Sequence, residues 1–121
     1  IYVYYIQFSQ RSSVVLSARD DSSDAWVALS IDDSAIEKLL ILICAIFEFR
    51  NELGYRLSPE DTFESLYNIA NPVPGWPDGF EDLELENHLR DEFGVRMPTD
   101  ENGRHLPITL AELASRVAEA K

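Results

Sequence analysis

Hydrophobic positions along the chain change their period near residue 33. Before it, residues 1–8, 14–16 and 26–31 are runs rich in β-branched and aromatic residues, separated by polar breaks at 9–13 and 20–24. This pattern predicts a β-prone N-terminal extension over residues 1–33. It reads either as a small antiparallel hairpin or as a stretch that packs loosely or orders on a partner. Tyr2, Tyr4 and Tyr5 suit edge-strand packing, or alternatively a contact surface.

From residue 34 onward the period is helical. Ser34 with Glu37 forms an S-x-x-E capping box, and the pattern predicts a helix from 34 to about 53, stopped by Gly54. Residues 39–47 are apolar nearly all round, as expected of a core helix buried on several sides. Residues 55–66 read as a loop with a helical turn opening at Ser58-Pro59, which points Phe63 and Leu66 inward. The proline-rich stretch 71–77 is neither helix nor central strand, and its Trp76 either plugs the core edge or stacks on a small ligand.

The next segment opens with Asp78 as a cap, answered three residues later by Glu81. Leu85, Leu89 and Phe93 recur at four-residue steps beside Leu83, and Gly94 follows as a helix stop. Thr109 with Glu112 is a third capping box, opening a last helix with Leu110, Leu113, Ala114 and Val117 inward. The elements together predict a mainly α fold, a three- to four-helix bundle over residues 34–120, preceded by the β-prone or irregular extension.

Composition narrows the function more than the fold. The chain has 121 residues and a net charge of −12, so it repels nucleic-acid phosphates and anionic membranes. A protein with a basic surface is the partner this charge favours, although a solvated acidic surface without a partner is the commoner explanation of such a charge. The apolar run 39–47 is far shorter than the ~20 residues needed to span a bilayer. The N-terminal residues lack a signal-peptide pattern, and a cytoplasmic location is the expectation. Cys44 is the only cysteine, set in that apolar run, and reads as a buried structural thiol.

No chemistry-bearing constellation emerges. There is no glycine-rich phosphate cradle, and His88 and His105, the two histidines, lack an activated nucleophile beside them. His88 shares a helix side with Glu81 and Glu84, but a lone histidine among flexible carboxylates lacks the convergent ligands of a zinc site. The expectation is a non-enzyme without metal or cofactor.

Three phrases of the second regime carry a family resemblance. Asp61-Thr62 with Leu66 forms the first, residues 89–98 (Leu-Arg-Asp-Glu-Phe-Gly-Val-Arg-Met-Pro) the second, and residues 108–113 (Ile-Thr-Leu-Ala-Glu-Leu) the third. In order and spacing this resembles acyl carrier proteins, over about residues 34–120. The resemblance implies an acyl-carrier-like helical bundle. In that family a serine in an Asp-Ser-Leu motif holds the 4′-phosphopantetheine arm whose thiol bears acyl groups.

Counting back from Phe93-Gly94, Asp78-Gly79-Phe80 falls at that motif here. Gly79 has no hydroxyl for a phosphodiester, and neither serine nor threonine lies between Asn71 and Arg96. The corresponding carrier helix docks basic patches on partner enzymes. By resemblance, Asp78, Glu81, Asp82, Glu84, Glu86 and Asp91 form the candidate interaction face, with a solvated helix face as the plain alternative. The sequence therefore points to a non-catalytic, acidic, acyl-carrier-like interaction module that is not phosphopantetheinylated. The alternative is an acidic immunity or inhibitor protein that neutralises a basic toxin or nuclease.

Overall fold

A computed structural model of the chain describes residues 15–47, 49–70, 80–102 and 107–120. Its elements are α1 (Ser23–Val27), α2 (Asp33–Phe47), a 3-10 helix (Asn51–Arg56), α3 (Phe63–Ala70), α4 (Phe80–Phe93) and α5 (Leu110–Glu119). Among the described residues the fold is mainly helical, and no strand occurs. α2 is the axis: α5, α4 and the 3-10 helix all pack on it.

The core face of α2 is set by its period. Ala35, Ile36, Leu39, Leu40, Ile43, Cys44 and Phe47 are buried, at the three- and four-residue steps of one broad helix stripe. Fully burying an aliphatic side chain of this size contributes roughly 1.5–3 kcal/mol, so this stripe dominates the local energetics. The burial expected on several sides is not complete, however. Ile41 and Ala45 remain exposed on the opposite face.

Both ends of α2 differ from the sequence-based expectation. The cap is Asp32 and not Ser34: its carboxylate accepts the Ser34 N–H at 3.2 Å, and its carbonyl accepts those of Ala35 and Ile36. At the other end the helix stops at Phe47 and not at Gly54. Residues two apart on a helix point about 200° from each other, so Phe47 and Phe49 cannot both face the core from one helix. Leaving the helix lets both rings bury and stack, 5.8 Å apart and 15° from parallel. The Phe49 N–H closes the end on the Cys44 carbonyl at 2.9 Å. Gly54 instead sits buried within the 3-10 helix, facing Leu40 and Cys44.

The expected loop 55–66 is more ordered than its composition suggests. Ser58–Asp61 is a tight turn, with the Asp61 N–H on the Ser58 carbonyl at 3.0 Å. α3 then opens on a reciprocal cap: Ser65 N–H donates to Thr62 Oγ1 at 3.4 Å, and Thr62 N–H donates to Ser65 Oγ at 3.3 Å. Leu66 is buried as expected.

α4 and α5 match the expected pattern closely. Leu85 and Leu89 are fully buried, and Phe93 packs half-buried at the core edge. Gly94 ends α4 in the left-handed region at φ 69°, with the Val95 N–H reaching back to the Leu89 carbonyl at 3.0 Å. A Cβ at Gly94 would meet nothing within 4 Å, so Gly94→Ala isolates the backbone term. It should lower the unfolding free energy by about 1 kcal/mol in urea titration, with helix content unchanged.

In α5, Leu110, Leu113, Ala114 and Val117 are all buried, and Thr109 Oγ1 accepts the Glu112 N–H at 3.2 Å. The two preceding donors are satisfied by the distant 58–61 turn. Leu110 N–H donates to the Asp61 carbonyl at 2.8 Å and Ala111 N–H to that of Pro59 at 2.9 Å.

Residues 15–16 and 26–31 are where the β expectation fails. Residues 15–17 form a helical turn and Trp26 lies in α1, while Leu16 and Trp26 enter the same hydrophobic core as α2. Of the run 26–31 only Trp26 is fully buried, and Ser30 at φ 56° breaks any extended chain within it. Burying one indole outweighs a modest β preference. The remainder of the β-prone extension, residues 1–14 with Tyr2, Tyr4 and Tyr5, lies outside the described residues.

Candidate functional site

α4 carries the acidic candidate interaction face. On α4 the residues opposite the Leu85–Leu89 seam face solvent. Glu84 and Asp91 are exposed and Glu86 is half-buried. Seven residues apart, Glu84 and Asp91 share one stripe to within about 20°, whereas Glu86 points about 200° from Glu84, across the seam. The three therefore do not form one patch. Glu81 and Asp82 fall on the first turn of α4, but their side chains, like Asp78 and Gly79, lie outside the described residues, as do Trp76 and His105.

The exposed side of α4 is laced with local pairs. His88 Nδ1 lies 3.1 Å from Glu92 Oε1, one turn on. Arg90 Nε donates to Asp91 Oδ1 at 3.2 Å, and its terminal nitrogen donates to Asn87 Oδ1 at 3.1 Å. Pairs this exposed contribute about 0.2–1 kcal/mol each and are screened by salt. They shape the surface charge more than the stability. Among the described residues no three His, Cys, Asp or Glu side chains converge as metal ligands.

Beside this stripe α4 and α2 enclose an open groove of about 600 Å³. Its floor is apolar, formed by Ile41, Leu42, Ala45 and Ile46 of α2 with Phe93 of α4. Lys38 and the row Glu84, His88, Glu92 form its rim. The all-round apolarity of residues 39–47, the mark of a core helix, partly serves this groove. The exposed Ile41 is its clearest mark.

A second cluster went unforeseen. Asp61 is the one buried charged residue among those described. Arg19 grips it in bidentate fashion, Nη1 to Oδ2 at 2.8 Å and Nη2 to Oδ1 at 2.9 Å, and the Ser58 N–H donates to Oδ2 at 2.7 Å. Nearby, Trp26 Nε1 donates to the Leu57 carbonyl at 2.9 Å, Ser22 N–H to that of Tyr55, and the Arg56 guanidinium to that of Arg19. These bonds fasten the segment 15–31 to the end of the 3-10 helix and, through Asp61, to the turn that caps α5. Asp21 sits at the edge of this segment, where the hydroxyl and N–H of Ser23 hold its carboxyl below the usual range. The Ser58-Pro59-Glu60-Asp61 spacing signals the turn, but nothing in the sequence signals Arg19 as its partner. The arrangement is a structural clamp, since every polar atom named is engaged by the protein itself.

Cys44 is buried against Gly54, and its removal from water pushes the thiol from its ordinary 9.0 to about 11. The native thiol should fail to react with a disulfide reagent at pH 8 and react stoichiometrically once the chain is unfolded in guanidinium. Because folding favours the neutral thiol, the contribution to stability holds below pH about 9 and is lost as pH rises toward 11.

Fold and site together define a mainly helical, acidic bundle with a structural ion-pair clamp and an apolar groove beside its acidic helix. None of the described helices is long and apolar enough to cross a membrane. Compared with protein-family models, with curated proteins and with solved structures, the chain matches none of them.

Proposed function

We propose that this chain is a non-catalytic, acidic, acyl-carrier-like interaction module that bears no phosphopantetheine arm and docks a cytoplasmic protein with a basic surface. The observation that carries the proposal is Gly79, which stands where the carrier pattern calls for the serine when the sequence is counted back from Phe93-Gly94. Supporting it, the phrase at 89–98 coincides with the α4 stop at Gly94, and the phrase at 108–113 with the Thr109 cap of α5. What remains of the carrier plan is a scaffold and a charge.

That charge acts at a distance. With a net charge of −12 the chain draws a basic partner into frequent encounter, and the rate of association falls as salt screens the field. Contacts at Glu84 and Asp91, both exposed, then fix orientation. Reversing either charge should slow association and flatten its salt dependence, leaving the fold intact.

The same charge, with no catalytic motif in the sequence, favours a second reading, an immunity or inhibitor protein that neutralises a basic toxin or nuclease. Purification of the tagged chain from its host, with mass-spectrometric identification of what co-purifies stoichiometrically, separates the two. An enzyme of lipid or polyketide synthesis supports the carrier-like module. A basic nuclease supports the inhibitor and overturns the first reading.

A further inference from the structure

The groove between α2 and α4 has a shape and a chemistry that the acidic helix alone does not. We infer that it is the docking site for a cationic amphipathic helix of the partner protein. This inference rests on the reading of the chain as an interaction module with a basic partner.

Both walls are built at helical spacing. Lys38, Leu42 and Ile46 recur every fourth residue along α2, with Ile41 and Ala45 in a parallel row, and Glu84, His88 and Glu92 recur every fourth residue along α4. Rows of this kind are the ridges into which a third helix packs its own side chains. The walls extend about 12 Å, at 1.5 Å per residue, enough for two turns of a docked helix. The floor supplies the apolar surface such a helix needs. Ile41 is 51% exposed in the middle of the longest described helix, beside exposed Ala45 and half-buried Leu42 and Ile46.

Charge selects the occupant. The α4 rim presents Glu84 at one end and Glu92 at the other, eight residues apart, with His88 held on Glu92 at 3.1 Å between them. Lysine or arginine side chains flanking an apolar stripe reach these carboxylates when the stripe lies on Ile41 and Ala45. An acidic or neutral helix meets instead the field of a chain with a net charge of −12. A second copy of the chain carries that same charge, and its approach is opposed.

The test uses the full chain, labelled with 15N, and two 14-residue peptides of leucine and lysine. In one, leucines recur at three- and four-residue steps; the other has the same composition scrambled around the helix. The patterned peptide should move amide resonances over residues 38–46 and 84–93, and bind at least about tenfold more tightly than the scrambled one. Ile41→Glu adds a charge at a half-exposed position and should weaken the patterned peptide by about tenfold or more, with the amide spectrum of the free chain otherwise retained. Ile41→Leu should preserve binding.

Equal binding of both peptides, or shifts confined to Glu86 and Asp91, overturns the groove and leaves the interaction module standing. Concentration-dependent shifts at 38–46 without any peptide assign the groove to self-association and also overturn the inference. Absence of binding by either peptide, together with none by polylysine at low salt, overturns the groove and the basic-partner reading alike.

Discussion

Trp26→Ala should lower the unfolding free energy by about 4 kcal/mol, the largest single effect expected in the segment 15–31. The indole is 1% exposed in the same core as Leu39 and Ile43 of α2, so its removal leaves a large cavity that neighbours fill only in part. It also orphans the Leu57 carbonyl, which accepts Nε1–H at 2.9 Å. Trp26→Phe separates the two terms: it keeps most of the apolar volume, loses the hydrogen bond, and should cost about 1–3 kcal/mol. Domains of this size are stable by only about 5–15 kcal/mol, so the alanine variant will approach its unfolding midpoint in modest urea. A cost under 1 kcal/mol for Trp26→Ala would mean that the segment 15–31 does not belong to the core.

Asp61→Ala should cost about 2–3 kcal/mol. The carboxylate is buried and accepts three hydrogen bonds, two from Arg19 and one from the Ser58 N–H. Breaking a fully buried pair costs more, about 3–5 kcal/mol, but the Arg19 side chain is 31% exposed and regains water when its partner is gone. Arg19→Ala should cost a similar amount, because it strands a carboxylate that is only 7% exposed. The double variant should be less damaging than the sum of the singles, with a coupling energy of about 1–3 kcal/mol in a thermal or urea cycle. The loss has a second consequence. The turn that holds Asp61 also caps α5 through the Asp61 and Pro59 carbonyls, so hydrogen exchange at Leu110 and Ala111 should accelerate in both singles.

How far these features were legible in the sequence depends on how local their causes are. α4 and α5 announce themselves, because Leu85, Leu89 and the quartet Leu110, Leu113, Ala114 and Val117 obey a helical period, and the stop at Gly94 and the cap at Thr109 lie beside them. The central place of α2 was legible for the same reason. Its termini were not. The stop at Phe47 depends on two phenyl rings competing for one core, and the cap fell to Asp32, two residues before the expected serine. The helical α1 was hidden by a β-rich composition that its tertiary contacts override, chiefly the Trp26 bond to Leu57 across 31 residues.

The candidate site divides the same way. The acidity of α4 can be counted from the sequence. The grouping of its carboxylates cannot, because Glu86 lies across the leucine seam from Glu84 and Asp91. The groove was concealed by its own composition, since an apolar run reads as core until a neighbouring helix leaves part of it uncovered. Arg19 and Asp61 stand 42 residues apart, and no spacing rule links them.

Intact mass most directly tests the proposal of a carrier-like scaffold without carrier chemistry. The purified chain is incubated with a broad-specificity phosphopantetheinyl transferase and coenzyme A, beside an authentic carrier protein as positive control. This chain should keep its mass unchanged while the control gains its arm. A gain of one phosphopantetheine by this chain would contradict the proposal.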